Sequence, residues 1–289
     1  MANGQPTVES LTDPFILTFT PPPVIGAGVC DICHGSPNPG WERCYSCAQT
    51  VGQVSRPIAL VVPVTLCEAM GQMHHVLRSY KDSPEAGVRA RMRLRIAALL
   101  YRFLATHRNC IINAAGRDWD VITTVPSSTG RAGTHPLELV IQHVPPVEQE
   151  HATLLRRGAG QLGHNRASDD GYEVVDDVTG MAVLLVDDTF TSGARGQSAA
   201  SALQLAGAHV VAMVPVGTSG RTTARRPRRS GTTRGPRAST SRPAVSTRAS
   251  HDGWTGAGGA CERRNWPRAE RGSSDSLERR AHASGPWPP

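Results

Sequence analysis

The chain has 289 residues, 39% of them hydrophobic, and a formal charge of +7, enough for one ordinary core with extensions or for two small domains. The positive charge is uneven: 15 of the 31 basic and 5 of the 24 acidic residues fall in 220–289, a net of +10, which leaves residues 1–219 with 16 basic and 19 acidic residues, a net of −3. A negative balance over the foldable part and an aromatic content of 4% argue against a large nucleic-acid surface or an array of base-stacking platforms.

Lysine is almost absent: Lys81 stands alone against 30 arginines. That bias points to a GC-rich coding sequence and lowers the weight of the arginine count as a DNA-binding signal. No run of about 18 apolar residues predicts a transmembrane helix. The first residues lack a basic segment leading into an apolar stretch, so a secretory signal is not expected and a cytoplasmic location is.

In chain order, residues 1–29 read as a polar, Pro-rich arm whose apolar patch, Phe15, Ile16, Leu17 and Phe19, packs in part on the segments C-terminal to it. Residues 30–55 carry Cys30, Cys33, Cys44 and Cys47 in a C-x2-C-x10-C-x2-C arrangement. Each two-residue spacing lets a pair of thiolates converge on one ion, and four thiolates close a tetrahedral site with no open position. The pattern therefore predicts structural Zn2+ rather than a disulfide framework or a catalytic metal. His34 is a rival ligand within the cluster. Cys67 and Cys110 lie in apolar or helical context and are expected to be buried.

Residues 56–217 read as an α/β domain. The run 59–64 (ALVVPV) predicts a short strand, and 66–80 and 85–107 predict helices; in the second, Arg89 with Arg93 and Arg91 with Arg95 form i,i+4 pairs read as a solvated face. Residues 119–125 (WDVITTV) form a strand-like run ending at Pro126. HPLELVIQHV then starts a helix with Pro136 in its first turn. After a polar stretch over 156–170 come a buried strand (MAVLLV), a helix over 196–206 and a strand (HVVAMVPV), the size of a right-handed parallel unit. Residues 218–289 are dominated by Arg, Ser, Gly, Thr and Pro. They cannot bury enough apolar surface to offset ordering entropy and are expected to be disordered. So abrupt a change is also what a GC-rich gene yields in a shifted frame.

The chemistry concentrates in VLLVDDTFTSGARG, residues 183–196. Four apolar residues suit a central parallel strand covered on both faces, and ligands of such sheets bind beyond the carboxyl ends of the strands, where Asp187 and Asp188 fall. Thr191, Ser192, Gly193 and Ala194 then offer hydroxyls, backbone N–H groups and a helix N-terminus to an anion. The loop has no lysine and no Walker A spacing. A receiver domain would need a later phosphorylatable Asp and a distant Lys, which this order does not supply. Two carboxylates beside an anion loop are compatible if the ligand is a sugar phosphate: its hydroxyls donate to the carboxylates, or a bound Mg2+ bridges them, while its phosphate occupies the loop.

These residues resemble the phosphoribosyl-diphosphate signature of type I phosphoribosyltransferases. With the four-cysteine module, LRSYKD at 77–82 and the Arg, Gln and Asn region before the signature, the chain over about 30–217 resembles the ComF-like subgroup. The resemblance implies a type I phosphoribosyltransferase-like parallel sheet flanked by helices and preceded by a small zinc ribbon. It implies phosphoribosyl diphosphate or a related ribose phosphate as ligand with Mg2+, and glycosyltransferase chemistry on an unidentified acceptor. Asp187 and Asp188 would meet the ribose hydroxyls or the metal shell, and Thr191, Ser192, Gly193 and Ala194 would wrap the 5-phosphate. Arg195 stands where the family usually has Thr or Ser, and its guanidinium can serve a phosphate electrostatically. Ser127, Ser128 and Arg131, after the earlier strand, occupy the place of the pyrophosphate loop. Gln161, His164, Asn165 and Arg166 are candidates for the acceptor side. The subgroup also implies an alternative without catalysis, an accessory role in uptake or processing of single-stranded DNA, with DNA or the uptake machinery as partner.

Overall fold

The structure, a computed structural model, describes residues 6–16, 19–127, 133–145 and 147–219. The expected tail from residue 220 onward lies outside them, as do Leu17 of the apolar patch, Ser128 and Arg131. Two helices come first, α1 (Val8–Ile16) and α2 (Tyr45–Val51), then β1 (Thr65–Leu66), α3 (Gln72–Asp82), α4 (Ala86–Ala115), β2 (Val121–Thr124) and α5 (Pro136–Ile141). These are followed by α6 (Val147–Glu150), β3 (Leu155–Arg157), β4 (Tyr172–Val174), β5 (Ala182–Phe190), α7 (Ala194–Leu205) and β6 (His209–Thr218).

Four strands make the central sheet in the order β1-β6-β5-β2, and every pairing in it is parallel. Strands β3 and β4 form a separate antiparallel pair. The core follows from strand alternation. Leu184, Val186, Ala212, Val214 and Val216 pack toward α3, α4 and α5, whereas Val183, Leu185, Val210 and Met213 pack with α7 and the cysteine module. A register shift between Val183 and Leu184 leaves Val211 as the extra residue of β6. Both faces of the sheet are thus covered, and its apolar runs show no polar side. Among the described residues no helix is long and apolar enough to cross a membrane.

Three elements differ from the sequence reading. Residues 59–64 do run alongside β6, with the Val62 and Val64 N–H groups donating to the carbonyls of Met213 and Pro215. Pro215 has no N–H to return, so the ladder is interrupted and regular pairing begins only at Thr65. The first long helix starts at Gln72, six residues late, because Thr65 and Leu66 are used by the sheet. Helix α4 runs on past His107 to Ala115 and stops where Gly116 adopts the left-handed conformation (φ 77°) and donates to Ile112 O at 2.8 Å.

The N-terminal arm is a helix lying on α4. Arg102 reaches Asp13 at 2.5 Å and Thr12 at 2.8 Å, and the Arg95 guanidinium lies 4.3 Å from the centre of the Phe15 ring. The arginine face of α4 is therefore partly covered, with Arg93 and Arg95 half-buried, rather than a plain solvated face. Cys67 is buried as expected, whereas Cys110 on α4 is half-buried.

Candidate functional site

Asp187 and Asp188 do not follow β5 but belong to it, and both are buried, at 5% and 3% exposure. Asp188 is matched by two groups from the end of α3: its Oδ2 accepts the Tyr80 hydroxyl proton and pairs with the Lys81 ammonium. Asp187 accepts the Asp188 backbone N–H at 2.8 Å. The two acids consequently separate in character. Burial, and then the neighbouring Asp188 charge, push Asp187 up to about 7 against the opposing pull of Arg195 and Lys81. For Asp188, burial is outweighed by the Lys81 charge and by the bonds from Lys81 and Tyr80, so its carboxyl lies below the usual range. Near neutral pH the pair carries one firmly held negative charge and one that is poised.

The turn after β5 takes its shape from Gly193. With φ at 80° it is left-handed, and a Cβ there would come within 2.5 Å of the Phe190 ring. That turn delivers the chain into α7, twelve residues long, whose first N–H groups open onto a cavity of about 270 Å³. Thr191, Ser192, Gly193, Ala194 and Arg195 all line it, with Leu162 and His164 opposite. Ser192 is held from two sides: its Oγ accepts the Asn165 N–H at 3.1 Å, and its carbonyl lies 3.2 Å from the Thr50 hydroxyl. Because the oxygen of Ser192 is already an acceptor, its own proton is left to donate to a bound anion. Arg195 is held cationic by Asp187 first and then Asp188, against the cost of its burial.

A second cavity of about 130 Å³ opens beyond β2, and its polar lining is Lys81, Asp82, Ser127, His135, Asp187, Asp188 and Arg195. Ser127 follows Pro126, whose carbonyl accepts the Tyr172 hydroxyl at 3.0 Å. His135 caps α5, accepting the Leu137 N–H at its Nδ1, and burial lowers its pKa, which keeps the imidazole neutral. Asp187 and Arg195 border both cavities, which makes the two one divided site.

On the α7 face of the sheet the Sγ atoms of Cys30, Cys33, Cys44 and Cys47 lie within 4.8 Å of one another, three of the residues being buried. Among the described residues this group of metal-ligating side chains can hold a zinc ion. Four thiols so close cannot all ionise unaided. Hydrogen bonds from Cys33, Cys44 and Cys47 push Cys30 down, while Cys30 and its neighbours push Cys47 up. The Gly35 N–H also donates toward Cys33 Sγ at 3.4 Å. His34 is not a rival ligand: its Nδ1 lies 2.9 Å from Pro23 O and its Nε2 lies 3.1 Å from Val61 O.

The structure brings together Asp187, Asp188, Thr191, Ser192, Gly193, Ala194, Arg195 and Ser127, while Ser128 and Arg131 lie outside the described residues. Of the acceptor-side candidates, His164 lines the larger cavity and Asn165 supports Ser192, whereas Gln161 and Arg166 line neither cavity. Sequence reasoning did not assign roles to Tyr80, Lys81 or His135. The first two lie in the LRSYKD stretch, where the chain's lone lysine was a further signal; His135 gave none beyond its place before Pro136. No protein-family model matches the chain, and no curated protein matches it.

Proposed function

We propose that the chain binds phosphoribosyl diphosphate or a related ribose phosphate and transfers the phosphoribosyl group to a nucleophilic acceptor. The observation that carries this reading is the divided site, in which Asp187 and Arg195 form the partition between an anion loop and a second cavity where Lys81 and Arg195 stand beside the carboxylates of Asp82, Asp187 and Asp188. A ligand with a phosphate at one end, an anionic group at the other and hydroxyls between them matches that order of donors and acceptors. The 5-phosphate occupies the loop at Thr191–Ala194, donated to by backbone N–H groups and by Ser192. The ribose hydroxyls donate to the acids, Asp187 being the one whose carboxylate faces both cavities. The diphosphate lies toward Lys81 and Ser127.

Transfer requires the bond from ribose C1 to the diphosphate oxygen to break with its electron pair leaving on the diphosphate. A bond from C1 to the acceptor nitrogen forms, and that nitrogen sheds a proton. Lys81 and Arg195 supply positive charge beside the departing oxygen, which is worth most in a partly buried site. Asp188, fixed by Lys81 and Tyr80, keeps a negative charge near the electron-poor sugar. Asp188 Oδ2 is already committed to two partners, so Asp187 is the carboxylate that would hold Mg2+. Bound there, Mg2+ would supply charge neutralisation for the departing diphosphate. The four cysteines hold structural zinc, since no ligand position would remain open.

Calorimetric titration with phosphoribosyl diphosphate and Mg2+, beside the Asp187→Asn, Asp188→Asn double variant, tests the reading. Binding by the parent and its loss in the variant are expected; no binding by the parent overturns the proposal. Binding without pyrophosphate release, assayed with nucleobases and with ammonia, replaces transfer by a ligand-controlled accessory role.

A further inference from the structure

The cysteine module and the anion loop are joined by a continuous seam. Helix α2 begins right after Cys44, contains Cys47 and carries Thr50, which is fully buried. The Thr50 hydroxyl has one proton and three carbonyls in reach, Ser46 at 3.0 Å, Cys47 at 3.5 Å and Ser192 at 3.2 Å, and only Ser192 lies outside α2 and in the anion loop. Gln53, just beyond α2, clamps the turn opposite: its Oε1 accepts the Ala167 N–H at 2.7 Å and its Nε2 donates to Asn165 O at 3.2 Å. Asn165 is the residue whose N–H holds Ser192 Oγ. Farther along, Ile58 exchanges both backbone bonds with the fully buried amide of Gln197 on α7, each at 2.9 Å. The seam ends at Ser55, whose N–H and hydroxyl both reach Asp169, which in turn takes the Ser201 hydroxyl at 2.6 Å. From the other side the Thr218 hydroxyl reaches the carbonyls of Cys33 and Phe190, linking the first cysteine pair to the last residue of β5.

Taking the anion-loop reading of the previous section as its basis, we propose that the four-cysteine module is a positioning element for the site, with Thr50 as its point of contact, so that metal occupancy sets the affinity of the Thr191–Ala194 loop for a phosphate. Ser192 has no freedom to settle its own carbonyl and hydroxyl, because Thr50 and Asn165 hold them from opposite sides. Thr50 sits on the helix that carries Cys47, and Asn165 is held in turn by Gln53 just beyond that helix. Without an ion nothing draws the two cysteine pairs together, and α2, whose N-cap is the ligand residue Cys44, loses the anchor that aims Thr50.

The test uses the full chain with zinc bound, with inorganic phosphate and ribose 5-phosphate as probes in calorimetry. Thr50→Val is expected to retain one zinc per chain by native mass spectrometry yet weaken phosphate binding by about three- to tenfold, the range of one buried hydrogen bond. Thr50→Ser is expected to restore it, which a purely packing role for the threonine methyl would not allow. Removing zinc with a chelator is expected to weaken binding in the parent by at least as much and to add little in Thr50→Val, because the two act through one contact. Unchanged affinity in Thr50→Val, or fully additive losses, overturns the proposal. Should the parent bind neither probe, the anion-loop reading fails, and hydrogen exchange decides the coupling independently. Faster exchange at 190–196 on zinc removal and in Thr50→Val supports it; unchanged exchange there overturns it.

Discussion

The unequal treatment of two adjacent acids makes the sharpest stability prediction. Asp187 is buried and pushed from an ordinary 3.8 to about 7, so in the folded state it holds a proton that the unfolded chain has released. A raised folded value means that the stabilisation is complete below about 4 and is lost as pH rises through about 7. A difference of this size corresponds to on the order of 4 kcal/mol across that window. Asp188 has the opposite sign: its depressed folded value contributes stability that is present at neutral pH and lost only as pH falls into the acid range. Histidines complicate the raw profile, because burial lowers His107, His135, His151 and His209, and these favour the folded state increasingly as pH rises toward their unfolded value of 6.5. The informative quantity is therefore the difference between a variant and the parent at each pH.

For Asp187→Asn, urea unfolding of the zinc-bound chain between pH 5 and 8 is expected to show a stability advantage over the parent that grows with pH. It should reach a few kcal/mol at the alkaline end, reduced by whatever Arg195 loses with its partner. Asp188→Asn is expected to be destabilising by about 3 kcal/mol near neutral pH, because the Lys81 ammonium and the Tyr80 hydroxyl both lose the buried carboxylate oxygen that they share. A difference for Asp187→Asn that is flat in pH, or an Asp188→Asn variant as stable as the parent at pH 7, would refute the separation of roles.

The same geometry carries three further expected outcomes. Lys81→Met is expected to cost stability on its own, and its combination with Asp188→Asn to cost about 0.5–3 kcal/mol less than the sum, measured by a double-mutant cycle in urea. Cys44→Ser is expected to abolish stoichiometric zinc in native mass spectrometry and lower the melting temperature, whereas Cys67→Ala, outside the group of four ligands, keeps the metal. Gly193→Ala is expected to cost about 1–2 kcal/mol for the left-handed conformation plus about 1–3 kcal/mol for its contact with Phe190, and adding Phe190→Leu should recover part of the second cost only.

What the sequence disclosed and what it withheld divide along the range of the interactions. Period and apolar runs located β2, β5, α7 and β6, because a strand covered on both faces and a helix of small residues announce themselves locally. The cysteine spacing likewise carried its own geometry. By contrast, the gap in the ladder beside 59–64 depends on Pro215, a residue in another strand, and the start of α3 depends on Thr65 and Leu66 having been claimed by β6. The site shows the same division. The loop at 191–195 is contiguous, but the cations and hydroxyls that complete the site come from distant chain segments, Tyr80 lying 108 residues before Asp188. In a chain with 30 arginines and one lysine, the single ammonium is spent on the most enclosed acid. Charge size explains the choice: the compact head of Lys81 meets one carboxylate oxygen beside the Tyr80 hydroxyl, where a planar guanidinium would need width for a two-pronged approach. Arginine appears instead at Arg195, on the partition between the cavities, where a broad, permanently charged plate can face an anion on either side. The composition thus held a clue to the site that motif reading passed over, legible once the rarity of a residue type is weighed against the cost of burying it.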